Sequence, residues 1–410
     1  MYETSVERLI DEVAEIRNST RNIHLKNMWE NFYTHKDPQR IPVTVNWSLS
    51  FYAQTLGIDL NAMFSTPQRY LEDMLKIILY RARNFMDDNP VGVMFPGAEA
   101  FEITADQQGD LMVYFGPPFE PSFFGLDAIF DEKIDPRQSP NPIIKNESDL
   151  DQMNYPDFYQ DGMMPKAIEF YEEICKMVKG RFEVVFPIFC RGPFSIAWAL
   201  RGLQNCVVDM YRRPDFFHKM MKFITESRIR WEKERERYLS RRMRRAQLDN
   251  DEVDGDIISK QLYEKFMFPY EEKIAEFYEN GIFYFHSCGN LTRLYDTIAR
   301  LPGLGRIEIS PVSDLEAATR TFGPRNIILH KRLDPRKEVY VNTDEMTSNL
   351  RRIIQQCSDA SVEIDACPLD PPTERIQEWI RIARQVTSEY RRGTQGLDRN
   401  SNRDQEWCTS

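Results

Sequence analysis

The 410-residue sequence predicts an α/β fold, a (β/α)8 TIM barrel preceded by an N-terminal helical extension. Three observations lead there. Short β-rich runs alternate with longer helical patterns, which gives βα units and a parallel sheet rather than a sandwich. The β-rich runs number eight. The length is large for one domain, yet barrels with insertions run from about 250 residues to more than 400.

In chain order the expected strands are "PVTVN" from Pro42, "VGVMF" from Val91, "EVVFPI" from Glu183 and "AQLD" from Ala246. They continue with "IFYFH" from Ile282, "RIEIS" from Arg306, "NIILH" from Asn326 and "VEIDA" from Val362. The intervening helices carry their own punctuation. "TPQRYLEDMLKIILYRARNF" offers Thr66 as N-cap and Pro67 in the first turn, then an apolar face at Leu71, Met74, Leu75, Ile78, Ala82 and Phe85. "PPTERIQEWIRIARQV" repeats Ile376, Trp379, Ile380 and Ala383 on one stripe and is expected to pack against the last strand. The main irregularity is the long gap between the second and third strands. The gap, roughly 96 to 181, holds the proline-rich stretch "FGPPFEPSFFG" to "DPRQSPNPII" and a helix around "MPKAIEFYEEICKMV", and is expected to be a lid or rim loop.

The expected division is residues 1–40 as the helical extension, 41–388 as the barrel, and 389–410 as a disordered polar tail containing Cys408. No internal repeat or glycine-rich phosphate loop interrupts this plan.

Composition narrows the function. With 41% hydrophobic and 12% aromatic residues the chain has ample core material. A net charge of −11 repels a polyanion and argues against nucleic acid as a partner. The run "RRMRR" at 241–245 is the local exception and reads as a solvated helix end. Apolar runs fall well short of the ~18 residues a membrane span needs, and no leader opens the chain, so a cytoplasmic protein is expected. Seven scattered cysteines lack the spacing of a disulfide scaffold and read as reduced thiols.

The chemistry concentrates at "IFYFHSCGN". If Ile282 to His286 is a strand, alternation points His286 and Cys288 the same way, about 6.5 Å apart along the chain. Imidazole nitrogen and thiolate sulfur bind zinc at about 2.0 and 2.3 Å, so one ion fits between them. Gly289 and Asn290 then turn into the expected helix "NLTRLYDTIARL", whose N-terminus would lower the Cys288 pKa. Cys367, in "VEIDACPLDPP", sits just past the last strand, on the edge where barrel active sites assemble. Three ligands, His286, Cys288 and Cys367, would leave one tetrahedral position open, as in catalytic zinc sites. Taken singly, a His-x-Cys pair also reads as a packed strand end and Cys367 as a buried apolar thiol. Spacing leaves both readings standing.

Other candidates surround these. Asp249, Asp251 and Glu252 end the fourth strand, as substrate contacts, an extra metal ligand, or a solvated acidic loop. Glu308 ends the sixth strand and reads equally as core or site, whereas His330 on the seventh reads as structural. Arg191 in "CRGPF" is an anion contact or a turn support. His24, His35 and His218 lie away from strand ends and receive no role.

"HSCGN", "DACP", "CRGPFSIAWALRG" from Cys190 to Gly202 and "ISKQLYEKFMFPYEEKI" from Ile258 to Ile274 closely resemble the zinc-dependent methyltransferases of the uroporphyrinogen decarboxylase superfamily. The resemblance runs from about Pro42 to Val386. It implies that His286, Cys288 and Cys367 bind Zn2+, and that the zinc holds a thiol that exchanges a methyl group with a corrinoid. No "DxHxxG" stretch occurs in the chain, so the corrinoid is expected on a separate corrinoid-binding protein, with a small molecule as methyl donor or acceptor. True uroporphyrinogen decarboxylases carry an arginine-rich N-terminal signature and a strand-end aspartate and use no metal; "RNSTRNIHLKNMWENF" fits that signature poorly. A metal-independent tetrapyrrole decarboxylase is therefore the runner-up. A zinc hydrolase and a non-catalytic binding module remain as further alternatives.

Overall fold

The computed structural model describes residues 2–34, 40–46, 48–91, 111–357, 360–367 and 371–401. Its strands are β1 Val43–Val45, β2 Leu111–Met112, β3 Ala128–Ile129, β4 Arg137–Gln138 and β5 Val184–Val185, followed by β6 Ala246–Asp249, β7 Ile282–His286, β8 Arg306–Ile309, β9 Ile328–Leu333 and β10 Val362–Ala366. Six of them form one parallel sheet in the order β1-β10-β9-β8-β7-β6. β5 pairs in parallel with β2, and a bridge between Arg191 and Asp249 sets the chain leaving β5 beside β6. At the other end of the sheet, the Asp88 amide donates to the Val43 carbonyl at 2.8 Å, so the chain runs against the open edge of β1. Helices pack outside. The architecture is a TIM barrel.

Sequence expectation and structure agree closely for β6, β7 and β10. "NIILH" is shifted: β9 begins at Ile328 and runs on to Leu333. "VGVMF" falls almost wholly outside the described residues. β2 was not expected, because two residues are too few to show alternation.

The 96–181 gap corrects the expectation of a lid in its described part, 111–181. Phe115, Phe119, Phe123 and Phe124 are buried in the main core. Phe115 stacks on Phe119, and Phe123 stacks on Trp231 of the Pro214–Leu239 helix. The length of the proline-rich stretch suggested a lid or rim loop, but the phenylalanines within it supply the burial that fixes it in the core.

The helix Pro67–Asn84 starts as expected, with Thr66 Oγ1 accepting from the Arg69 amide at 3.2 Å. The final helix, Thr373–Ser401, buries Ile376, Trp379, Ile380 and Ala383 and continues well past residue 388. That corrects the expected tail for 389–401. Tyr390 packs against the core and Glu389 pairs with Arg351 at 3.2 Å, which holds the added turn. Residues 402–410, with Cys408, lie outside the described residues. No helix among the described residues is long and apolar enough to cross a membrane.

The N-terminal extension consists of helices Tyr2–Arg17 and Thr20–Tyr33. Leu25, Met28, Trp29, Phe32 and Tyr33 pack on Phe283, Tyr284 and Ile328, near the starts of β7 and β9. The extension thus covers the N-terminal end of the barrel beneath these strands, and the opposite end is left for chemistry.

The inner face of this arc is polar. Period-two alternation gives Asp249 from β6, Tyr284 and His286 from β7, Arg306 and Glu308 from β8, His330 and Arg332 from β9, and Glu363 and Asp365 from β10. Buried charges persist only when paired. Arg306 bonds Glu363, and Tyr33 from the extension donates to the same carboxylate at 2.8 Å. His330 Nδ1 meets the Tyr284 hydroxyl at 2.8 Å, and that hydroxyl donates to Glu308 at 3.1 Å. His330 is thereby structural, as the sequence suggested.

Glu271, 1% exposed in the helix Phe268–Phe277, gives a pH test of the fold. Burial pushes its pKa up to about 7, against the hydrogen bonds from Tyr263 and Asn250. A raised folded pKa means the unfolded chain releases this proton first, so the contribution to stability is complete below pH 4.5 and is lost as pH rises toward 7. Urea unfolding of Glu271→Gln is expected to lack this component. The wild type should lose on the order of 3 kcal/mol more than the variant between pH 4.5 and 8, and equal losses would refute the assignment.

Candidate metal centre

β7 delivers His286 at its last position, and the chain then turns through Ser287, Cys288 and Gly289. This turn interlocks with the loop after β6. Ser287 Oγ donates to the Val253 carbonyl at 2.7 Å, and the Gly255 amide donates to the Asn290 carbonyl at 2.7 Å. Gly289 is needed for the close approach, since a Cβ there would lie 2.7 Å from the Val253 oxygen. The β6 loop is anchored by Asn250, whose amide donates to the His286 carbonyl at 2.9 Å and whose side chain donates to Glu271 at 2.9 Å. Two adjacent loops therefore place Asp251 over His286 and Cys288.

The resulting cluster is compact. His286 Nε2 lies 2.6 Å from Asp251 Oδ1, Cys288 Sγ lies 3.3 Å from the same oxygen, and sulfur and imidazole nitrogen are 3.8 Å apart. One oxygen, one nitrogen and one sulfur within 4.8 Å of each other can all reach a single small divalent cation. The mixed N, O, S character suits zinc. On its other side, His286 Nδ1 contacts Glu308 Oε2 at 2.6 Å. A carboxylate on the second nitrogen is what fixes a metal-binding imidazole in orientation and tautomer. The donor set fits a zinc ion.

Electrostatics agree. Burial opposes charge on His286, but Glu308, Asp251 and Cys288 outweigh it and hold its pKa well above the usual imidazole range. Burial likewise works against Glu308 and Asp251, yet Arg332 and His286 for the first, and His286 and Arg191 for the second, pull both well below the usual carboxylate range. The centre is a pair of ionised carboxylates around one cation, a charge pattern that a divalent ion satisfies.

Cys367 stands apart from the compact cluster. It leaves β10 at the same mouth, but its Sγ accepts from Arg332 Nη2 at 2.9 Å, and Arg332 Nη1 lies 3.9 Å from Cys288 Sγ. The guanidinium lies between the two sulfurs, and the donor atoms that lie within 4.8 Å of one another are those of Asp251, His286 and Cys288. Burial raises the Cys367 thiol to about 11 despite the neighbouring Arg332. The expected helix after Asn290 is also different: a 3-10 turn, Thr292–Leu294, leads into a single α-turn, Tyr295–Ile298. Asn290 Oδ1 accepts from the Thr292 amide at 3.1 Å, but no helix N-terminus adjoins Cys288.

The remaining candidates border the centre. Asp249 lies level with His286 in the β6–β7 register, and burial raises its pKa. Arg191 pairs with Glu252 at 2.9 Å and so braces the loop that carries Asp251. Glu120, unmarked in the sequence, reaches in from the helix Phe119–Ser122 and accepts from the Cys190 amide at 3.0 Å. Arg332 was also missed. The expected seventh strand ended at His330, and one more step of alternation would have brought Arg332 to the mouth.

Gly192 bears on the centre indirectly. A Cβ there would fall 1.7 Å from Asn250 Oδ1. Gly192→Ala must therefore displace Asn250 and with it the Asp251 loop. Zinc affinity is expected to drop roughly 10- to 100-fold, as for loss of a ligand-orienting contact, and titration against a chelator checks this.

A search of curated proteins gives no match. Among solved structures, a methyltransferase from Methanosarcina mazei is similar in fold, with a TM-score of 0.62 at 14% identity, covering 88% of this chain and 98% of that one. The family profile described as Uroporphyrinogen decarboxylase (URO-D) matches residues 110–364, more than half of the chain and including His286, Cys288 and the β-strands that frame them. The chain belongs to the uroporphyrinogen decarboxylase family.

Proposed function

We propose that this chain is a zinc-dependent methyltransferase that moves a methyl group between a corrinoid carried by a separate protein and a small acceptor or donor, best represented by a thiol. The observation that carries the reading is the convergence of Asp251, His286 and Cys288 at the C-terminal mouth of the barrel. The similarity in fold to a methyltransferase and the family membership support it.

In this reading Asp251, His286 and Cys288 hold the ion. Bound zinc supplies the positive charge that keeps a coordinated thiol ionised near neutral pH. The protein's own groups do the rest. Glu308 keeps its contact to Nδ1 of His286 and leaves Nε2 to face the metal, so His286 gives up its Nε2 proton on loading. Arg191 and Glu252 hold the Asp251 loop, and the helical extension covers the opposite end of the barrel. The mouth remains as the approach for a corrinoid and a small thiol.

The test is demethylation of methylcobalamin by the zinc-loaded protein against a panel of thiols and other acceptors. Thiol-dependent loss of the methyl group is expected, with none in zinc-free protein. Turnover of a porphyrinogen by the zinc-free protein, without methyl transfer, would replace this reading with a decarboxylase.

A further inference from the structure

The outer face of β9 carries a residue that packing against helices does not require. Alternation turns Leu329 and Leu333 outward, away from His330 and Arg332, and between them stands Lys331. It is 5% exposed. An ammonium has three N–H donors, and this one donates to the Ser310 carbonyl at 3.2 Å. Among the described residues no other hydrogen bond reaches it and no carboxylate lies within 4 Å. Buried charges are ordinarily paired. Burial accordingly pulls the Lys331 pKa below the usual lysine range, with Glu338 and Cys357 opposing.

Lys331 lines a cleft of 610 Å³ on the outside of the barrel. The walls are the start of the helix Leu315–Phe322, the turn Pro335–Glu338 after β9, and the helix Thr343–Gln356. Metabolite-sized sites span about 300–1,000 Å³. The acids around the cleft already have partners. Asp334 pairs with Lys337 at 3.2 Å, and Asp314 accepts from the Ala317 amide at 2.9 Å. Glu338 accepts from the Asp334 amide at 2.7 Å and meets Arg352 at 3.6 Å. What remains is one ammonium with no counter-ion in contact. A monoanion answers it, whereas a dianion would bring its second charge against Asp314, Asp334 and Glu338.

We propose that this cleft binds a small carboxylate-bearing molecule, whose carboxylate takes the two open N–H donors of Lys331 with Arg352 beside it. The site is separate from the metal centre and does not rest on the functional reading above.

Saturation-transfer difference NMR of sodium acetate with the full chain tests it, at an ionic strength held constant with chloride. Saturable acetate binding is expected in wild type, equal with and without zinc. Lys331→Met keeps most of the apolar stem, and is expected to weaken binding roughly 10- to 100-fold, the loss of one charge-assisted hydrogen bond. Arg352→Glu sets a further carboxylate at the cleft, from a side chain that is 55% exposed. It is expected to weaken acetate binding as strongly, and it carries the test should Lys331→Met fold poorly. Inorganic phosphate at equal concentration should not displace acetate. The absence of a saturable acetate signal in wild type would overturn the inference, as would an unchanged affinity in either variant. Displacement of acetate by phosphate would overturn the ligand class, and acetate binding that appears only with zinc would place the anion on the metal instead.

Discussion

His286→Ala is expected to lower zinc affinity by more than about 100-fold, measured by competition with a chromophoric chelator. Loss of a contact to a ligand's far side costs about 10- to 100-fold, and His286 is itself the ligand that the Asp251 and Glu308 carboxylates both hold, each at 2.6 Å. Methyl transfer should fall with the metal. A second signature is thermal. Zinc at 100 times its dissociation constant adds about 2.7 kcal/mol to the stability of a protein that binds it only when folded, and this increment should vanish in the variant. If His286→Ala keeps both zinc and the increment, the imidazole is not a ligand.

Glu308→Ala is expected to be the most destabilising change at the site. Glu308 is 1% exposed and accepts from Arg332, Tyr284 and His286. Removing it leaves the half-buried Arg332 and His286 cations without their shared partner, and breaking a buried charge pair costs about 3–5 kcal/mol. Urea unfolding of the metal-free protein measures this directly. Zinc affinity should fall as well, by roughly 10- to 100-fold, because His286 loses its orienting partner. Glu308→Gln keeps the shape and is expected to recover part of the stability but little of the affinity. A loss below about 1 kcal/mol in Glu308→Ala would show that the network does not depend on this carboxylate.

The legible part of the molecule was the part written in alternation. "IFYFHSC" and "VEIDAC" carry a period of two to the strand ends, so His286, Cys288 and Cys367 could be placed at one mouth from residue order alone. Alternation says which way a side chain points but not what lies beside it across the barrel. The separation of Cys367 from Cys288 by Arg332 depends on the β9–β10 register, in which Asp365 lies opposite Arg332. That register is a long-range property. Asp251 was visible only as one acid among several in "DNDEVDGD". Its place over His286 comes from Asn250, Glu271 and Gly192, which meet from three distant segments. The insertion misled for a local reason: proline and glycine in "FGPPFEPSFFG" mark turns, whereas the decisive fact is that Phe115, Phe119 and Phe123 find a core to enter.

The central claim is that the Asp251, His286 and Cys288 side chains share one metal ion. The most direct measurement is an anomalous difference map, collected at the zinc edge, from crystals of the zinc-loaded wild-type protein. The expected result is one strong peak at the barrel mouth within bonding distance of His286 Nε2, Cys288 Sγ and an Asp251 carboxylate oxygen. A map with no peak there, from protein shown to be saturated with zinc, would contradict the account.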